Sequence, residues 1–210
     1  TGFFTNVTHE FRTPLTVILG LSSQLQAEKE ITPAETNSYL KAIDRQGKHL
    51  LSLVNQLLNM SKINAGMDNP RWQKGNIVVY VQMVVESFRL YAKNKQLELT
   101  FSCNEPVITM DFIPHYIDNI LQNLISNAIN FSPSGSTISV ILSRSGNKVT
   151  LQVADTGSGI AEEDQERIFD LFYQGGKRVK GNGSGIGLSY TRQMVEMMNG
   201  KIEVVSEENR

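Results

Sequence analysis

The sequence predicts an α hairpin of the kind that forms a dimeric four-helix bundle, followed by an α/β sandwich with a mixed sheet. Two observations predict this architecture. Apolar residues recur at steps of three and four through residues 1–66, with one short polar break, as in paired amphipathic helices. From residue 77 onward, helical patterns alternate with strand patterns, and a tight turn joins two neighbouring strands. Residues 67–76 lie between the two patterns and are predicted to be a linker.

Composition restricts the class of protein. The 210 residues are 40% hydrophobic and 20% charged, which is typical of a folded chain. A net charge of −1 gives no positive field, so we expect no nucleic-acid partner and no contact with a membrane surface. The single cysteine, Cys103, excludes an internal disulfide and a CxxC metal site. The most apolar window, IVVYVQMVV, is too short to span a bilayer, and no signal peptide precedes the first motif, so any membrane segment is expected outside this chain.

The hairpin is predicted from two apolar stripes and one capping motif. Thr32 is expected to cap the second helix, with Pro33 in its first turn and Glu35 completing a capping box. The sequence NAGMDNP ends that helix. The stripe of the first helix consists of Phe4, Val7, Phe11, Leu15, Ile18, Leu21 and Leu25, ending near Ala27. The seam of the second helix consists of Leu40, Ile43, Gly47, Leu50, Val54 and Leu57.

One hairpin cannot surround its own apolar faces. Two long amphipathic helices with a short connection commonly pair with a second copy in a four-helix bundle, so a homodimer is predicted. The alternative is a coiled coil packed on the rest of the same chain, although the rest of the sequence shows no obvious partner for it.

The second segment is predicted to contain three helices and five strands. Gly146 and Asn147 tolerate the positive φ of a tight turn and so predict a hairpin between two of the strands. The helices are expected at residues 77–93, 113–130 and about 184–199. The strands are expected at residues 97–103, 106–110, 136–145, 147–154 and 201–206.

Three polar motifs in this segment suggest a ligand site. Asn123 and Asn127 stand one turn apart on a helix, and an amide oxygen suits Mg²⁺ carried in with phosphates, although both could instead be solvated or capping residues. Asp155 follows a strand and could accept a hydrogen bond from an exocyclic amine such as that of adenine. The glycines 157 and 159 after it allow a close backbone approach, but this motif alone predicts only a turn.

The third motif is a glycine-rich loop ahead of the last helix. Glycines 181, 183, 185 and 187 precede a helix predicted to start near Ser184. Unhindered backbone N–H groups and the helix N-terminus could together hold a polyphosphate. Alone, the loop could equally be a hinge.

Together these motifs resemble the catalytic core of two-component sensor histidine kinases. HEFRTPL resembles the family's H-box, NLISNAINF its N-box, DTGSGI its G1 box, IFDLFYQ its F-box and GNGSGIGL its G2 box, in the family's order and spacing. The segment SFRLYAKNKQLELTF is similar to the helix and strand ahead of the family's N-box. Five motifs in order are specific where each alone is weak. RWQKGNIVVYVQMVVESF further resembles large hybrid sensors of gut Bacteroides-like bacteria.

The resemblance implies a domain for dimerisation and histidine phosphotransfer at residues 1–66, and an ATP-binding catalytic domain of the Bergerat type at residues 77–210. It implies ATP and Mg²⁺ as ligands, with His9 as phosphoacceptor, Asp155 as the adenine contact and Asn127 as the metal ligand. The implied nucleotide-binding set is Asn123, Asn127, Asn130, Asp155, Gly157, Gly159, Lys177, Arg178, Gly183, Ser184, Gly185, Gly187 and Leu188.

With ATP available, the H-box residues acquire separate roles. A neutral nitrogen of the His9 imidazole can attack the γ-phosphorus while Glu10 accepts the proton of the other ring nitrogen. Thr13 lies on the same helical face, where its hydroxyl could orient a water for removing phosphate from a partner aspartate. Pro14 cannot donate to the carbonyl of Glu10 and is expected to bend the helix there.

Some positions depart from the family pattern. Asn130 stands where many relatives have a lysine, and Leu171 and Gln174 stand where arginine is often found in the F-box. Positive charge near the γ-phosphate would then come from a lid at residues 174–183 or from elsewhere, which favours a slow kinase. The cations of that lid are Lys177, Arg178 and Lys180. The sequence also stops at VVSEENR, ahead of the last glycine-bearing strand of the fold, as expected for a truncated fragment.

Two other functions are weighed against the kinase. A gyrase-like ATPase needs a carboxylate four residues before the metal-binding asparagine, where this chain has Asn123, and an amide is no general base. A dimeric pseudokinase scaffold is suggested only by Asn130, Leu171 and the missing strand. His49 and His115 are interpreted as ordinary surface residues.

The resemblance also implies partners and a location. The expected partners are a second copy bound through the hairpin and the receiver domain of a response regulator, separate or fused. Phosphatase activity toward that receiver is possible. The expected location is the cytoplasm, as a fragment of an inner-membrane sensor protein.

Overall fold

The first unit of the structure, a computed structural model that describes residues 2–27, 31–174 and 185–207, is a helical hairpin. Helix α1 spans Gly2–Ala27 and helix α2 spans Pro33–Asn64. The predicted capping box is confirmed at the start of α2, where the Glu35 N–H donates to Thr32 Oγ1 at 3.3 Å and the Thr32 N–H donates to Glu35 Oε2 at 3.0 Å. These bonds satisfy backbone donors that the first helical turn would otherwise leave without acceptors.

The second unit alternates helices and strands, as the sequence predicts. Its helices are α3 (Ile77–Asn94), α4 (Pro114–Phe131), α5 (Glu162–Gln165) and α6 (Gly187–Met197), with a short 3₁₀ turn at Arg167–Phe169. Its strands are β1 (Gln73–Asn76), β2 (Glu98–Cys103), β3 (Thr109–Phe112), β4 (Thr137–Ser145) and β5 (Lys148–Ala154).

The strands form a mixed sheet and a smaller ribbon. Strand β4 is central in the larger sheet, parallel to β2 and antiparallel to β5, with Leu142 opposite Cys103 on one side and Leu151 on the other. Strands β1 and β3 pair antiparallel in a separate ribbon, with Gln73 opposite Phe112. The helical hairpin and the mixed sheet confirm the predicted fold class.

The core of the second unit lies between the larger sheet and helices α3 and α4. Alternate residues of β4 are buried, as expected for a strand with one face on a core. Helix α3 buries Val78, Val81 and Val85, whose spacing of three and four residues places them on one face. Asn76 fixes the start of α3, because its side-chain oxygen accepts from the N–H groups of both Val78 and Ile108 at 3.1 Å.

Three predictions about the strands need correction. Strand β1 lies within the predicted linker, where a four-residue strand containing a glycine carries little hydrophobic signal. The strand expected at 106–110 is shifted to Thr109–Phe112. Residues 201–207 show alternating burial but belong to no strand among the described residues. They are held by other contacts, since the Ile160 N–H donates to Ser206 Oγ at 2.9 Å and Gln165 Nε2 donates to the Ser206 carbonyl at 2.8 Å.

The hairpin packs on the second unit, an arrangement that the sequence indicated only as the alternative to pairing with a second copy. Leu53 and Met60 of α2 are 1% and 8% exposed. They lie seven residues apart at positions outside the predicted seam, although Leu57 of that seam is partly buried against the same group of side chains. Their buried neighbours in the second unit are Ile113, Tyr116, Ile120, Ile186, Tyr190 and Met194. We call these eight residues the junction cluster.

Polar contacts border the junction cluster. Gln193 of α6 donates from Nε2 to Asn64 Oδ1 at 2.8 Å, and the Tyr116 hydroxyl donates to the Asp68 carboxylate. Burial and the adjacent Asp68 raise the pKa of Tyr116 well above its usual range.

Other apolar side chains of the hairpin stay exposed, so the junction covers only part of its apolar surface. They include Leu15, Leu19, Leu51 and Leu58. No helix among residues 2–27, 31–174 and 185–207 is both long enough and apolar enough to cross a bilayer.

The packing of α3 generates a stability prediction. Val85 is 0% exposed, whereas Val79 on the same helix is 61% exposed. Val85→Ala should lower the free energy of unfolding by about 2 kcal/mol, since two buried methyl groups are lost and a cavity remains. Val79→Ala, the matched control, should change it by less than about 0.5 kcal/mol. Urea denaturation of both variants measures the difference, and equal effects would contradict the packing described.

Candidate active site

His9, the predicted phosphoacceptor, lies on α1. His9 is exposed, and the Thr13 hydroxyl donates to the His9 carbonyl oxygen at 3.3 Å. Pro14 is buried inside the helix and has no N–H to donate to the carbonyl of Glu10. The imidazole therefore projects from a helix turn whose backbone bonding is altered and whose Thr13 hydroxyl is already engaged as a donor.

Glu10 accepts a hydrogen bond from a residue 164 positions later in the sequence. Gln174 donates from Nε2 to Glu10 Oε1 at 3.0 Å. Partial burial raises the pKa of the Glu10 carboxyl above its ordinary value, although the hydrogen bond from Gln174 and the neighbouring His9 oppose that shift. A carboxylate with a raised pKa is a better proton acceptor near neutral pH. The sequence singled out Gln174 as a departure in the F-box and as the first residue of the predicted lid, but not as a partner of Glu10.

A cavity between the second unit and helix α2 brings the polar motifs together, and Arg45, His49 and Gln56 of α2 form part of its lining. Helix α4, the turn after β5 and the start of α6 line it. Gln174 lines the same cavity, so one side chain connects the cavity with the carboxylate beside His9. The predicted nucleotide-binding residues found in its lining are Asn123, Asn127, Asn130, Asp155, Gly157, Gly159, Gly185, Gly187 and Leu188.

Asn123 and Asn127 differ in their contacts. The Asn123 amide nitrogen donates at 3.2 Å to the Gly187 carbonyl and at 3.2 Å to Thr191 Oγ1. Asn123 thus connects α4 to the first turn of α6 through two hydrogen bonds, a role that the sequence did not predict. Asn127, one turn later, is half-buried in the cavity lining.

Asp155 is fixed by the turn that follows β5. Its Oδ1 accepts from the Gly157 N–H at 2.8 Å. A Cβ atom at Gly157 would lie 2.7 Å from Asp155 Oδ1 and 2.8 Å from the Phe131 carbonyl oxygen, so only glycine fits here. The turn places an oriented carboxylate on the cavity wall.

The start of α6 is tied to the segment after the 3₁₀ turn. Gly185 has φ +66°, and a Cβ there would lie 2.6 Å from the Phe172 backbone. The Phe172 N–H donates to the Gly185 carbonyl at 2.8 Å. The N-cap residue, Ile186, provides no side-chain cap to the first turn of α6. The N-terminus of a helix favours negative charge. The helix begins at Gly187 rather than near residue 184 as predicted.

Several predicted site residues lie outside the described part of the chain. These are Lys177, Arg178, Lys180, Gly183 and Ser184, together with Gly181.

The donor set can be tested for fit to Mg²⁺. Among the described residues, no group of three or more His, Cys, Asp or Glu side chains could hold a metal ion. A magnesium ion bound mainly through phosphates and water needs only one or two protein oxygens. The amide oxygen of Asn127 meets that need, so the residues fit an ion that arrives with a nucleotide.

Comparisons with known proteins agree with this geometry. Residues 1–66 match the family model of the His Kinase A (phospho-acceptor) domain. Residues 112–210 match the model of the histidine kinase-, DNA gyrase B- and HSP90-like ATPase. Histidine kinase P4 of Formosa agariphila is 33% identical over 211 residues, covering 98% of this chain but 15% of that protein. The chain therefore spans a small part of this relative.

Two solved structures share the fold. Full-length ShkA in complex with AMPPNP is 27% identical, with TM-score 0.72 over 97% of this chain and 42% of that chain. Histidine kinase ThkA in complex with response regulator protein TrrA is 21% identical, with TM-score 0.74 over 95% of this chain and 55% of that one.

The contact between Gln174 and Glu10 generates a prediction about protonation. Gln174→Leu removes a donor that stabilises the ionised carboxylate, so the pKa of Glu10 should rise further above its ordinary value. Carbon-13 NMR titration of the Glu10 carboxyl measures the change. Gln82→Leu, at an exposed position of α3, is the matched control and should leave the titration unaltered. Identical curves for all three proteins would contradict the contact.

Proposed function

The chain belongs to the two-component sensor histidine kinases, and from this premise we propose that it transfers the γ-phosphoryl group of ATP to His9 and then to an aspartate of a response-regulator receiver domain. One observation carries the proposal. Gln174 lines the cavity that contains the asparagine and glycine motifs and also donates to Glu10, the carboxylate beside His9. The geometry therefore supports a nucleotide site next to the acceptor helix.

The nucleotide would lie between α4 and the start of α6. The oriented carboxylate of Asp155 would accept a hydrogen bond from the exocyclic amine of adenine. The polyphosphate would meet the N–H groups at Gly185 and Gly187, where the helix N-terminus favours negative charge. The Leu188 side chain, also in the lining, would contribute an apolar contact.

Asn127 would hold Mg²⁺ through its amide oxygen. When bound, the ion would neutralise charge on the phosphate oxygens. Asn123 would contribute by keeping α6 against α4, because its amide nitrogen is already bonded to Gly187 and Thr191.

The first chemical step forms a bond between an imidazole nitrogen of His9 and the γ-phosphorus. The bond from that phosphorus to the bridging oxygen breaks, and ADP leaves with the electron pair. Glu10 accepts the proton from the other ring nitrogen and keeps the attacking nitrogen nucleophilic. Because burial raises the pKa of Glu10, this carboxylate is a stronger base than an exposed one.

The second step passes the phosphoryl group from His9 to an aspartate of a receiver domain, which is separate or fused. Thr13 would act in the reverse direction, in removal of phosphate from that aspartate. Its hydroxyl hydrogen is directed to the His9 carbonyl, so the oxygen would hold the attacking water as an acceptor.

The domain division and assembly belong to the same proposal. Residues 1–66 would form the dimerisation and phosphotransfer domain, 67–76 a linker that includes β1, and 77–210 the catalytic domain. A second copy would cover the exposed leucines of the hairpin in a four-helix bundle. We place the chain on the cytoplasmic side of an inner-membrane sensor, where ATP is present.

Two other functions receive less support. A gyrase-like ATPase needs a base four residues before Asn127, but Asn123 there is an amide that donates to Gly187. A pseudokinase scaffold does not account for a cavity that gathers Asn127, Asp155 and Gly187 beside an exposed His9.

The phosphoacceptor assignment predicts the effect of His9→Gln. With radiolabelled Mg·ATP, the variant should incorporate no acid-labile, base-stable phosphate, because the nucleophile is gone. Its ATP affinity should stay within about twofold of the parent by calorimetry, since His9 is not in the nucleotide cavity. His115→Gln, an exposed histidine at the start of α4, is the matched control and should label normally. Equal labelling of His9→Gln would refute the assignment.

The proposed roles of Glu10 and Thr13 predict that substitutions at these two residues impair different activities, autophosphorylation and removal of phosphate from the receiver. Glu10→Gln keeps size but loses basicity, so autophosphorylation should fall by roughly 10²- to 10⁴-fold with nucleotide binding intact. Thr13→Ala should leave autophosphorylation within a few-fold of the parent, while loss of phosphate from a phosphorylated receiver slows. Both are measured with labelled protein in parallel assays. If Thr13→Ala abolished autophosphorylation as completely as Glu10→Gln, Thr13 would be a structural support of the histidine.

A further inference from the structure

Asn130 is paired with a tyrosine across two helices. Tyr91, near the end of α3, donates from its hydroxyl to Asn130 Oδ1 on α4 at 3.1 Å. Both residues line the same cavity as Asn127, which lies three residues before Asn130 on α4. The pair therefore lies on the α4 side of the cavity, one helical turn beyond Asn127.

The hydrogen bond determines which end of the Asn130 amide is available. A side-chain amide has an oxygen that accepts and a nitrogen that donates two hydrogens. Here the phenol hydroxyl occupies the oxygen, and no hydrogen bond recorded among the described residues uses the Asn130 nitrogen. Without a fixed donor, an amide can turn either end toward a ligand, so the Tyr91 hydroxyl selects one orientation.

We propose that Tyr91 is a positioning residue that holds Asn130 with its amide nitrogen available to the phosphates of the bound nucleotide. Asn130 then contacts phosphate as a neutral hydrogen-bond donor. Asn127 offers its amide oxygen to the metal cation, and Asn130 offers its amide nitrogen to the phosphate anion. Two amides one turn apart on α4 thus contact groups of opposite charge. The inference rests on the proposed function, because it requires that the cavity bind a nucleoside polyphosphate.

A purely structural role is the competing explanation. The bond between Tyr91 and Asn130 could only tie α3 to α4, as another tyrosine of α3 does. The Tyr80 hydroxyl donates to Asp118 of α4 at 2.9 Å, and Tyr80 does not line the cavity. Tyr80→Phe is therefore a matched control, with the same chemical change, the same pair of helices and no access to the ligand.

The experiment compares ligands with and without phosphates on the whole chain. ATP affinity with Mg²⁺ is measured by calorimetry and adenosine affinity by NMR titration. Tyr91→Phe should weaken ATP binding about two- to tenfold, as expected for one hydrogen bond, and leave adenosine binding unchanged. Tyr80→Phe should change neither affinity. Asn130→Asp, which replaces the donor by a negative charge, should weaken ATP more than Tyr91→Phe does.

A double-variant test isolates the coupling. In an Asn130→Leu background, Tyr91→Phe should have no further effect on ATP affinity, because no amide remains to be oriented. Equal losses for ATP and adenosine, a full effect in that background, or an equal effect of Tyr80→Phe would each overturn the positioning role. Absence of ATP binding by the parent chain would instead refute the proposed function itself, which distinguishes the two failures.

Discussion

The arrangement of the site depends on the junction cluster between α2 and helices α4 and α6. Leu53, 1% exposed, is buried in a cluster with side chains of α4 and α6, and removing that apolar surface from water is favourable. Phe11, the residue after Glu10, packs against the same cluster. Burial at this junction therefore brings the turn of α1 that carries His9 and Glu10 close to the cavity and permits the contact between Gln174 and Glu10. If the two units moved apart, that hydrogen bond would be lost with the apolar contact.

Helix α4 organises the second unit because its two faces have different chemistry. One face buries Leu121 and Ile125 in the core beneath the sheet. The cavity face carries three asparagines with three different environments. Asn123 braces α6, Asn127 lies in the cavity wall, and Asn130 is oriented by Tyr91. Asparagine has low helix propensity, and a helix anchored by apolar burial on its opposite face tolerates that cost.

Two positions near the cavity require glycine because a Cβ atom would collide with neighbouring backbone, and one of them also has a positive φ. At Gly157 the neighbouring Phe131 carbonyl leaves no room for a Cβ, and at Gly185 both a positive φ and the Phe172 backbone exclude one. Close backbone packing at Gly157 connects the turn after β5 to the end of α4, and close packing at Gly185 connects the start of α6 to the segment after the 3₁₀ turn.

Local patterns in the sequence determined the helices, most strands and the mixed sheet, because periodicity, caps and turn residues act within a few neighbours. The capping box at Thr32 and the turn at Gly146 are examples. Motif order also identified the residues that line the cavity, from Asn123 to Leu188. Local patterns could not show β1 or the shift of β3, and they predicted a strand at 201–206 that lacks ladder pairing. Only the tertiary structure decided that α2 packs on the second unit through Leu53 and Met60, that Gln174 reaches Glu10, that Asn123 braces α6 and that Tyr91 meets Asn130. Each of these contacts joins residues that are 39 or more positions apart, and the energies that select them come from packing and hydrogen bonding in three dimensions rather than from sequence spacing.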